Sequence, residues 1–336
     1  MSSITESFTE QPGVPAKKDL LVAGELNMDL IMEQVQGHPE LGKERISEGM
    51  TLTLGSSSAI MASNASSLGL STGFAGRVGN DLYGNKIREI LQSRGIDTSH
   101  ILDTPGVQTG LTVIYTIGND RGMITYPGAM DFLTAEDISE ELLEKHRHFH
   151  ISSYYLQKGL REGAAGLFKK AKALGLTTSF DTNWDPDEKW GEEIFDILPY
   201  VDVFLPNDDE AMRISRTGNV DDALAKLAGY AGLVVATCGI KGIKARTGNT
   251  LYELQTVTVD SVDAVGAGDS FNAGFLSRYL KTAPIEDCLK AGVLAGAFST
   301  TRAGGTAAFE NLKNFERFGS NASPELTIVE PDTHQN

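Results

Sequence analysis

The most informative stretch of the chain lies towards its C-terminal end and reads Asp263-Ala264-Val265-Gly266-Ala267-Gly268-Asp269-Ser270-Phe271-Asn272-Ala273-Gly274-Phe275. Apolar residues at helical spacing begin inside this stretch and continue to Tyr279, so the small residues Gly266, Ala267 and Gly268 are predicted to stand at a helix N-terminus. Small residues let a ligand approach the backbone closely, and the helix dipole adds positive potential at the free N–H groups. The stretch therefore predicts an anion hole.

Asp269 lies in the same turn and has two readings. It could cap the helix, because Asp is a favoured N-cap residue. It could instead accept the proton of a hydroxyl group, beside N–H groups that hold the negative charge developing during phosphoryl transfer. A capping Asp does not require three small residues before it, so we favour the second reading.

The rest of the chain alternates short apolar strands with helical segments, which predicts an α/β fold with a central, mainly parallel sheet flanked by helices. Two stretches, within about residues 45–54 and 111–127, have the alternating pattern of half-buried strands and predict a small additional β-sheet. Residues 1–18 and 319–336 are polar and are predicted to be tails, the first of them disordered. A single domain is expected over residues 19–318.

The net charge of −16 disfavours nucleic acid and anionic membranes as partners. The two cysteines are too few for a disulfide framework or a zinc site, and no apolar run approaches the length of a membrane span. From these features we expect a cytoplasmic protein.

The stretch from Asp263 to Gly274 resembles the signature of the ribokinase-like, or PfkB, family of carbohydrate kinases, which reads approximately D-T-x-G-A-G-D-x-F-x-A-G. Other landmarks of that family recur in order over about residues 19–315, among them Asp181-Thr182-Asn183 after a central strand. The resemblance implies a ribokinase-like fold with a small β-sheet lid over a sugar, ATP and Mg²⁺ as cofactors, and Asp269 as general base beside Gly266–Gly268. It also implies a homodimer formed through the lid.

The resemblance places the sugar at Gly24-Glu25-Leu26-Asn27-Met28-Asp29, where Asn27 and Asp29 would bind hydroxyl groups. A plain turn after the first strand is the other reading of these residues. An acidic sugar would in addition need a cation in the lid or pocket, for which Arg77 and Arg121 are candidates.

One landmark departs from the family. Its Gly-Gly-x-x-x-Asn element reads Gly55-Ser56-Ser57-Ser58-Ala59-Ile60 here, so Ile60 stands where the family has an Asn that contacts the sugar. Gly55 and Ser56 remain assigned to the substrate site, and the serines could supply replacement hydrogen bonds. The departure concerns the identity of the acceptor more than the chemistry.

On the nucleotide side, Asn207-Asp208-Asp209-Glu210 fits the family's N-x-x-E motif. It implies that Asn207 contacts the cofactor and that Glu210 helps to hold Mg²⁺ through water. A capped, acidic helix start is an equally good account of Asp208 and Asp209.

The stretch Thr237-Cys238-Gly239-Ile240-Lys241-Gly242 resembles a turn that lies along the nucleotide, which implies contacts from Thr237, Gly239 and Gly242. Asp263 stands at the position that would carry a monovalent cation such as K⁺, although Ala264 replaces the usual Thr beside it.

Three functions are compatible with these features. A sugar kinase is expected first, and a kinase for nucleosides or other alcohols on the same fold is second. A family member that binds ligand without turnover is third, and the intact Asp269 argues against it. No G-x-x-x-x-G-K-[ST] occurs and no G-x-G-x-x-G follows the first strand, so a P-loop protein and a dinucleotide-binding dehydrogenase are unsupported.

Overall fold

A computed structural model describes residues 16–118, 120–322 and 324–329 of the chain. Within this part, the strands are β1 Lys18–Ala23, β2 Asn27–Glu33, β3 Gly49–Leu54, β4 Thr72–Val78, β5 Asp97–Asp103, β6 Gly110–Ile117, β7 Asp120–Tyr126, β8 His146–Ile151, β9 Thr177–Phe180, β10 Val203–Phe204, β11 Leu233–Thr237, β12 Ile243–Thr247, β13 Thr250–Leu254 and β14 Leu326–Val329. The α-helices are α1 Ser57–Ser67, α2 Leu82–Ser93, α3 Glu140–Glu144, α4 Lys158–Arg161, α5 Ala164–Ala173, α6 Ile194–Ile197, α7 Asp208–Ser215, α8 Val220–Leu227, α9 Ala267–Tyr279, α10 Ile285–Ser299 and α11 Leu312–Asn321.

The larger sheet has ten strands in the order β14-β13-β12-β11-β10-β9-β8-β1-β4-β5. The strands from β11 to β5 are parallel, and β12, β13 and β14 extend the sheet in antiparallel fashion. Side chains alternate along a strand, so Leu21 of β1 packs into the core on one face of the sheet and Val22 into the core on the other. Helices cover both faces, which confirms the predicted architecture.

The second sheet has four strands in the order β3-β2-β6-β7 and is called the lid below. Strands β3 and β7 lie within the two predicted stretches and β6 begins one residue before the second, so the small sheet is confirmed. The strand β2 was not predicted, and the reading of Asn27-Met28-Asp29 as a plain turn is wrong, because these residues begin β2. On the inner face of the lid, Asp29, Thr112 and Thr125 lie side by side across three strands.

The predicted C-terminal tail needs a correction. Residues 319–321 complete α11, and Leu326–Val329 form β14, which pairs with Leu251–Leu254 of β13. An edge strand of four largely exposed residues is held by backbone hydrogen bonds and therefore shows little hydrophobic pattern. At the other end, Lys18 already belongs to β1, and residues 1–15 of the predicted N-terminal tail lie outside the described residues.

Candidate active site

The carboxyl ends of β1, β9, β10 and β11 open onto one cavity of about 770 Å³, and the inner face of the lid forms its roof. Open α/β sheets bind ligands at this edge, because the loops that follow neighbouring parallel strands meet there. The cavity brings together predicted residues from distant parts of the sequence: Asn27, Asp29, Ser56, Asn207, Glu210, Thr237, Gly239, Gly266, Ala267, Gly268 and Asp269.

The predicted anion hole is formed by the start of α9. Gly266 precedes the helix with φ +73°, a conformation that favours glycine, and a Cβ there would lie 2.7 Å from Cα of Gly305. The backbone N–H groups of Gly268 and Asp269 have no acceptor among the described residues. Free N–H groups at a helix N-terminus, facing a cavity, are suited to an anionic ligand.

Asp269 lies in the first turn of α9, three residues after the N-cap position, and its side chain makes no capping hydrogen bond. The capping interpretation is therefore wrong. The side chain is buried, and burial together with the negative charges of Asp181 and Glu25 raises its pKa well above the usual range. A carboxylate whose proton affinity is raised in this way is suited to accept a proton from a hydroxyl group.

Two further carboxylates stand beside Asp269. Burial raises the pKa of Asp181 to about 6, and burial with the charge of Asp181 raises that of Glu210 to about 8. Asn272 Nδ2, one turn along α9 from Asp269, donates to Asp181 Oδ2 at 2.7 Å. Such crowded carboxylates disfavour a full negative charge, so this part of the cavity favours a bound cation.

Glu210 is held in a capping box at the start of α7. Its Oε2 accepts the N–H of Asn207 at 2.9 Å, and Asn207 Oδ1 accepts the N–H of Glu210 at 2.8 Å. Asn207 and Glu210 thus serve the helix start as well as the cavity wall. Within the described residues, no three His, Cys, Asp or Glu side chains group closely enough to hold a metal ion by themselves.

Ser57 connects Asp269 with the loop after β9. Asn183 Nδ2 donates to Ser57 Oγ at 2.8 Å and to Ser153 Oγ at 3.0 Å. The hydroxyl of Ser57, which accepts from Asn183, is a hydrogen-bond partner of Asp269 that opposes the rise in its pKa. Ser57, which belongs to the Gly55–Ile60 element that departs from the family, is thus a hydrogen-bond partner of the candidate base.

At the lid end of the cavity, Asn27 Nδ2 donates to Asp29 Oδ1 at 2.9 Å and to Thr112 Oγ1 at 3.0 Å. Burial raises the pKa of Asp29 to about 6, opposed by this hydrogen bond and increased by neighbouring acids. Gly55 packs directly on this pair, because a Cβ at Gly55 would lie 2.2 Å from Asp29 Oδ1 and 2.7 Å from Asn27 Nδ2. Gly55 therefore leaves room for Asp29.

Ser56 has φ +70°, a left-handed conformation that costs a non-glycine residue about 1–2 kcal/mol. Its hydroxyl accepts the N–H of Ala59 at 3.0 Å and donates to the carbonyl oxygen of Glu25. This N-cap offsets part of the strain. Both of these hydrogen bonds stabilise the fold. Ser56 therefore contributes to the predicted substrate site only as part of the cavity wall.

A second cavity of about 420 Å³ adjoins the first and shares Thr237, Gly239 and Gly268 with it. Its remaining walls are mostly apolar and include Ile240 and Ala297. Gly242 also lines it, with φ +95°, and a Cβ there would lie 1.9 Å from the carbonyl oxygen of Leu254. The predicted nucleotide turn therefore lies between a polar and an apolar cavity.

Asp263 joins two loops beside the anion hole. Its carboxylate accepts the N–H of Val265 and that of Gly304, both at 2.9 Å. Of the two candidate cations for an acidic sugar, Arg121 lines the larger cavity. Arg77 does not, because Asp137 holds it in a bidentate pair with Nε–Oδ2 at 2.8 Å.

Some residues of the cavity were missed. Glu25 is buried directly after β1, where its carboxylate accepts hydrogen bonds from the backbone and side chain of Ser58. Its position after a buried strand was a usable signal. Asn272 could have been found from its spacing of three residues after Asp269, which places both on one side of the helix. The contact between Asn183 and Ser57 has no sequence signal, because it joins distant segments.

The fold class follows from comparison with solved structures. A candidate ribokinase II from E. coli, solved with ATP and Mg²⁺, has a TM-score of 0.81 at 23% identity, over 91% of this chain and 100% of that one. The ten-stranded sheet with its separate lid is thus a ribokinase fold. The model of the pfkB family of carbohydrate kinases matches residues 17–312, and the chain therefore belongs to that family, as its motifs indicated.

Curated relatives extend over similar lengths. The chain is 29% identical over 321 residues to the 5-dehydro-2-deoxygluconokinase of Lacticaseibacillus casei, covering 91% of this chain and 96% of that one. It is 29% identical over 278 residues to the cytidine kinase of Thermococcus kodakarensis, covering 79% and 94%. Among the described residues, no helix is both long and apolar enough to cross a lipid bilayer.

Proposed function

We propose that this protein transfers the γ-phosphate of ATP to a hydroxyl group of a sugar or sugar derivative, with Asp269 as the general base. The observation that carries the proposal is the position of Asp269, which is buried in the first turn of α9 beside free N–H groups facing the cavity. A base and an anion hole within one helical turn can act in the same reaction. The base accepts the proton of the hydroxyl group, and the anion hole holds the phosphoryl group that the hydroxyl attacks.

The acceptor binds at the lid end, where Asp29 Oδ2 and Asn27 Oδ1 accept hydrogen bonds from its hydroxyl groups, since Asn27 Nδ2 already donates to Asp29 and Thr112. Asp269 removes the proton from the attacking hydroxyl, while Ser57, fixed by Asn183, orients the carboxylate. The N–H groups of Gly268 and Asp269 hold the charge that develops on the transferred phosphate, whereas the N–H of Ala267 already donates to the carbonyl oxygen of Ala264. Lid closure excludes water, which would otherwise compete as acceptor.

Mg²⁺ fits the acidic side of this cavity. Glu210 is buried, its pKa is raised to about 8 by burial and by Asp181, and only its Oε2 is used in the capping box. Glu210 would hold the ion through water, which suits a cation that keeps most of its hydration. When bound, Mg²⁺ neutralises phosphate charge.

ATP is proposed to extend from the anion hole along Thr237 and Gly239 into the apolar second cavity, which suits an adenine ring. A fold-related protein was solved with ATP and Mg²⁺, which supports ATP and Mg²⁺ as the cofactors. Gly242 keeps the turn close to Leu254, and Asn207 stands beside Thr237, to which it is joined by a single parallel bridge. A monovalent cation at Asp263 remains part of the proposal.

A nucleoside acceptor is the second candidate. Ile60 replaces the family's sugar-contacting Asn and packs against Gly266 and Gly305, and the aromatic side chain of Trp184 also lines the cavity. Apolar and aromatic surfaces suit a nucleobase better than a polyol. The relative that acts on cytidine shows that the family includes such acceptors.

A homodimer through the lid is also proposed. The outer face of the lid, opposite Asp29 and Arg121, carries exposed apolar side chains at Met50, Leu52 and Ile124. Exposed apolar faces of this kind mark association surfaces.

The test is an ADP-release assay with Mg·ATP and K⁺ on a panel of sugars, sugar acids and nucleosides. We expect turnover on one acceptor class, and Asp269→Asn to lower kcat by about 10²–10⁴-fold, the scale of a lost general base. ATP binding and the melting temperature of the variant serve as controls. Near-normal turnover by Asp269→Asn would remove the base assignment, and ATP binding without turnover on any acceptor would favour the non-catalytic function.

A further inference from the structure

The inner face of the lid carries a row of three residues on β7. Arg121, Met123 and Thr125 alternate along the strand, so their side chains share one face, and all three line the cavity. Thr125 Oγ1 lies 3.0 Å from Thr112 Oγ1, which in turn accepts from Asn27. The row therefore begins beside the hydroxyl-binding residues and runs about 13 Å along the strand to Arg121.

Arg121 contributes little to the stability of the fold. Its Nη1 lies 4.0 Å from Asp263 Oδ1, with the arginine side chain 42% exposed, and an ion pair of this length and exposure contributes little to stability. Both oxygens of Asp263 already accept backbone N–H groups, from Val265 and Gly304. Among the described residues, no acceptor forms a hydrogen bond with the guanidinium of Arg121.

The guanidinium of Arg121 stands in an acidic cavity. Seven carboxyl side chains line the cavity, and Arg121 is the single Lys or Arg among the described residues that line it. Asp29 and Asn27 can bind the hydroxyl groups of a neutral polyol without any cation. The carboxyl side chains of the cavity would repel an acceptor that carries its own negative charge. An arginine fork compensates that repulsion, because its paired N–H groups match a carboxylate or phosphate.

We propose that the acceptor is an anion, a sugar acid or a sugar phosphate, and that Arg121 binds its carboxylate or phosphate while Asp29 binds its hydroxyl groups. This inference rests on the proposed kinase function and narrows its substrate class. Arg121 is in this view a specificity-determining residue of the lid. The transferred phosphoryl group is served by the N–H groups of the anion hole.

The experiment compares matched neutral and anionic acceptors: D-glucose with D-gluconate, D-ribose with D-ribonate, and D-fructose with D-fructose 6-phosphate. Rates are measured with Mg·ATP for the wild type, Arg121→Met and Arg121→Lys. Binding of each acceptor is measured by calorimetry in the presence of a non-hydrolysable ATP analogue. Arg147→Met, which removes a positive charge that pairs with Asp19 at the surface, is the matched control.

We expect an anionic acceptor to exceed its neutral partner in kcat/KM at least tenfold, and Arg121→Met to lose about 10–10²-fold on the anionic acceptor. The same variant should change kcat/KM for a neutral acceptor less than threefold, and Arg121→Lys should recover part of the loss. Equal losses on both kinds of acceptor would overturn the inference, because Arg121 would then act on the phosphoryl group.

Failure of the inference can be told apart from failure of the kinase proposal. Turnover of neutral acceptors with no binding of any anionic partner would overturn the substrate class and leave the kinase intact. Binding of an anionic acceptor that Arg121→Met weakens would support the substrate class even if no turnover were found.

Discussion

Gly268 tests the anion hole without disturbing the fold. It is the second residue of α9, and a Cβ built on it would meet no other part of the protein within 4 Å, because its α-carbon faces the space shared by the two cavities. We expect Gly268→Ala to fold normally and to lose activity. The methyl group would occupy the space in which a phosphate oxygen approaches the N–H groups of Gly268 and Asp269.

The expected effects of Gly268→Ala on stability and on activity have opposite signs. Ala is favoured over Gly in a helix by about 0.5–1 kcal/mol, so the melting temperature should stay the same or rise by about 1–2 °C. Loss of one donor to a developing negative charge costs about 3–4 kcal/mol, so kcat should fall about 10²–10³-fold. A residue with a purely structural role would instead lower both quantities.

The assay combines thermal unfolding with steady-state ADP release. Gly166→Ala is the matched control, because Gly166 is an exposed helical glycine of α5 whose Cβ also meets nothing within 4 Å. It should gain the same stability and keep full activity. If Gly268→Ala retained wild-type kcat, or if it unfolded at a clearly lower temperature, the assignment of the anion hole to this turn would be refuted.

Two further predictions concern the acceptor end and the core. Gly55→Ala should push Asp29 aside and raise the acceptor KM about 10–10²-fold, with ATP binding within threefold of wild type; equal losses for both ligands would contradict it. Burial lowers the pKa of His148 and of His150 to about 3. Their contribution to stability is complete above about pH 6.5 and is lost as pH falls towards 3, by about 1.4 kcal/mol per pH unit for each histidine. In His148→Asn, the free energy of unfolding, measured in urea, should therefore fall less steeply as the pH is lowered below about 6.5, by about 1.4 kcal/mol per pH unit. Equal slopes for the variant and the wild type would contradict this prediction.

The sequence predicted most of the larger sheet because buried parallel strands are continuous apolar runs. Residues 20–23 and 233–236 are such runs, and they lie in β1 and β11. Strand β2 was missed because Asn27 and Asp29 face a cavity, so polar residues stand where a core strand would be apolar. The edge strand β14 was missed because it buries little.

The candidate site was predicted where chemistry depends on a local motif. The turn around Asp269 gathers its small residues within one helix start, so a single stretch was sufficient. The hydroxyl of Ser56 could not be assigned, because its partner Glu25 is 31 residues away. The sequence also could not show that Arg121 lines the cavity and Arg77 does not. Arg77 is held by Asp137, which is 60 residues away in the sequence and is brought to it only by folding.

The polar cavity beneath the lid and the apolar cavity beyond the turn at Gly239 adjoin, because Thr237, Gly239 and Gly268 line both. A single synthetic molecule can therefore occupy both, with an acceptor mimic at one end and an adenosine mimic at the other. Joining the two parts makes the second contact intramolecular, which can strengthen binding by about 10²–10⁴-fold over either part alone without any new interaction. Such a bisubstrate inhibitor would draw its selectivity from the acceptor end, where Ile60 replaces the family's Asn.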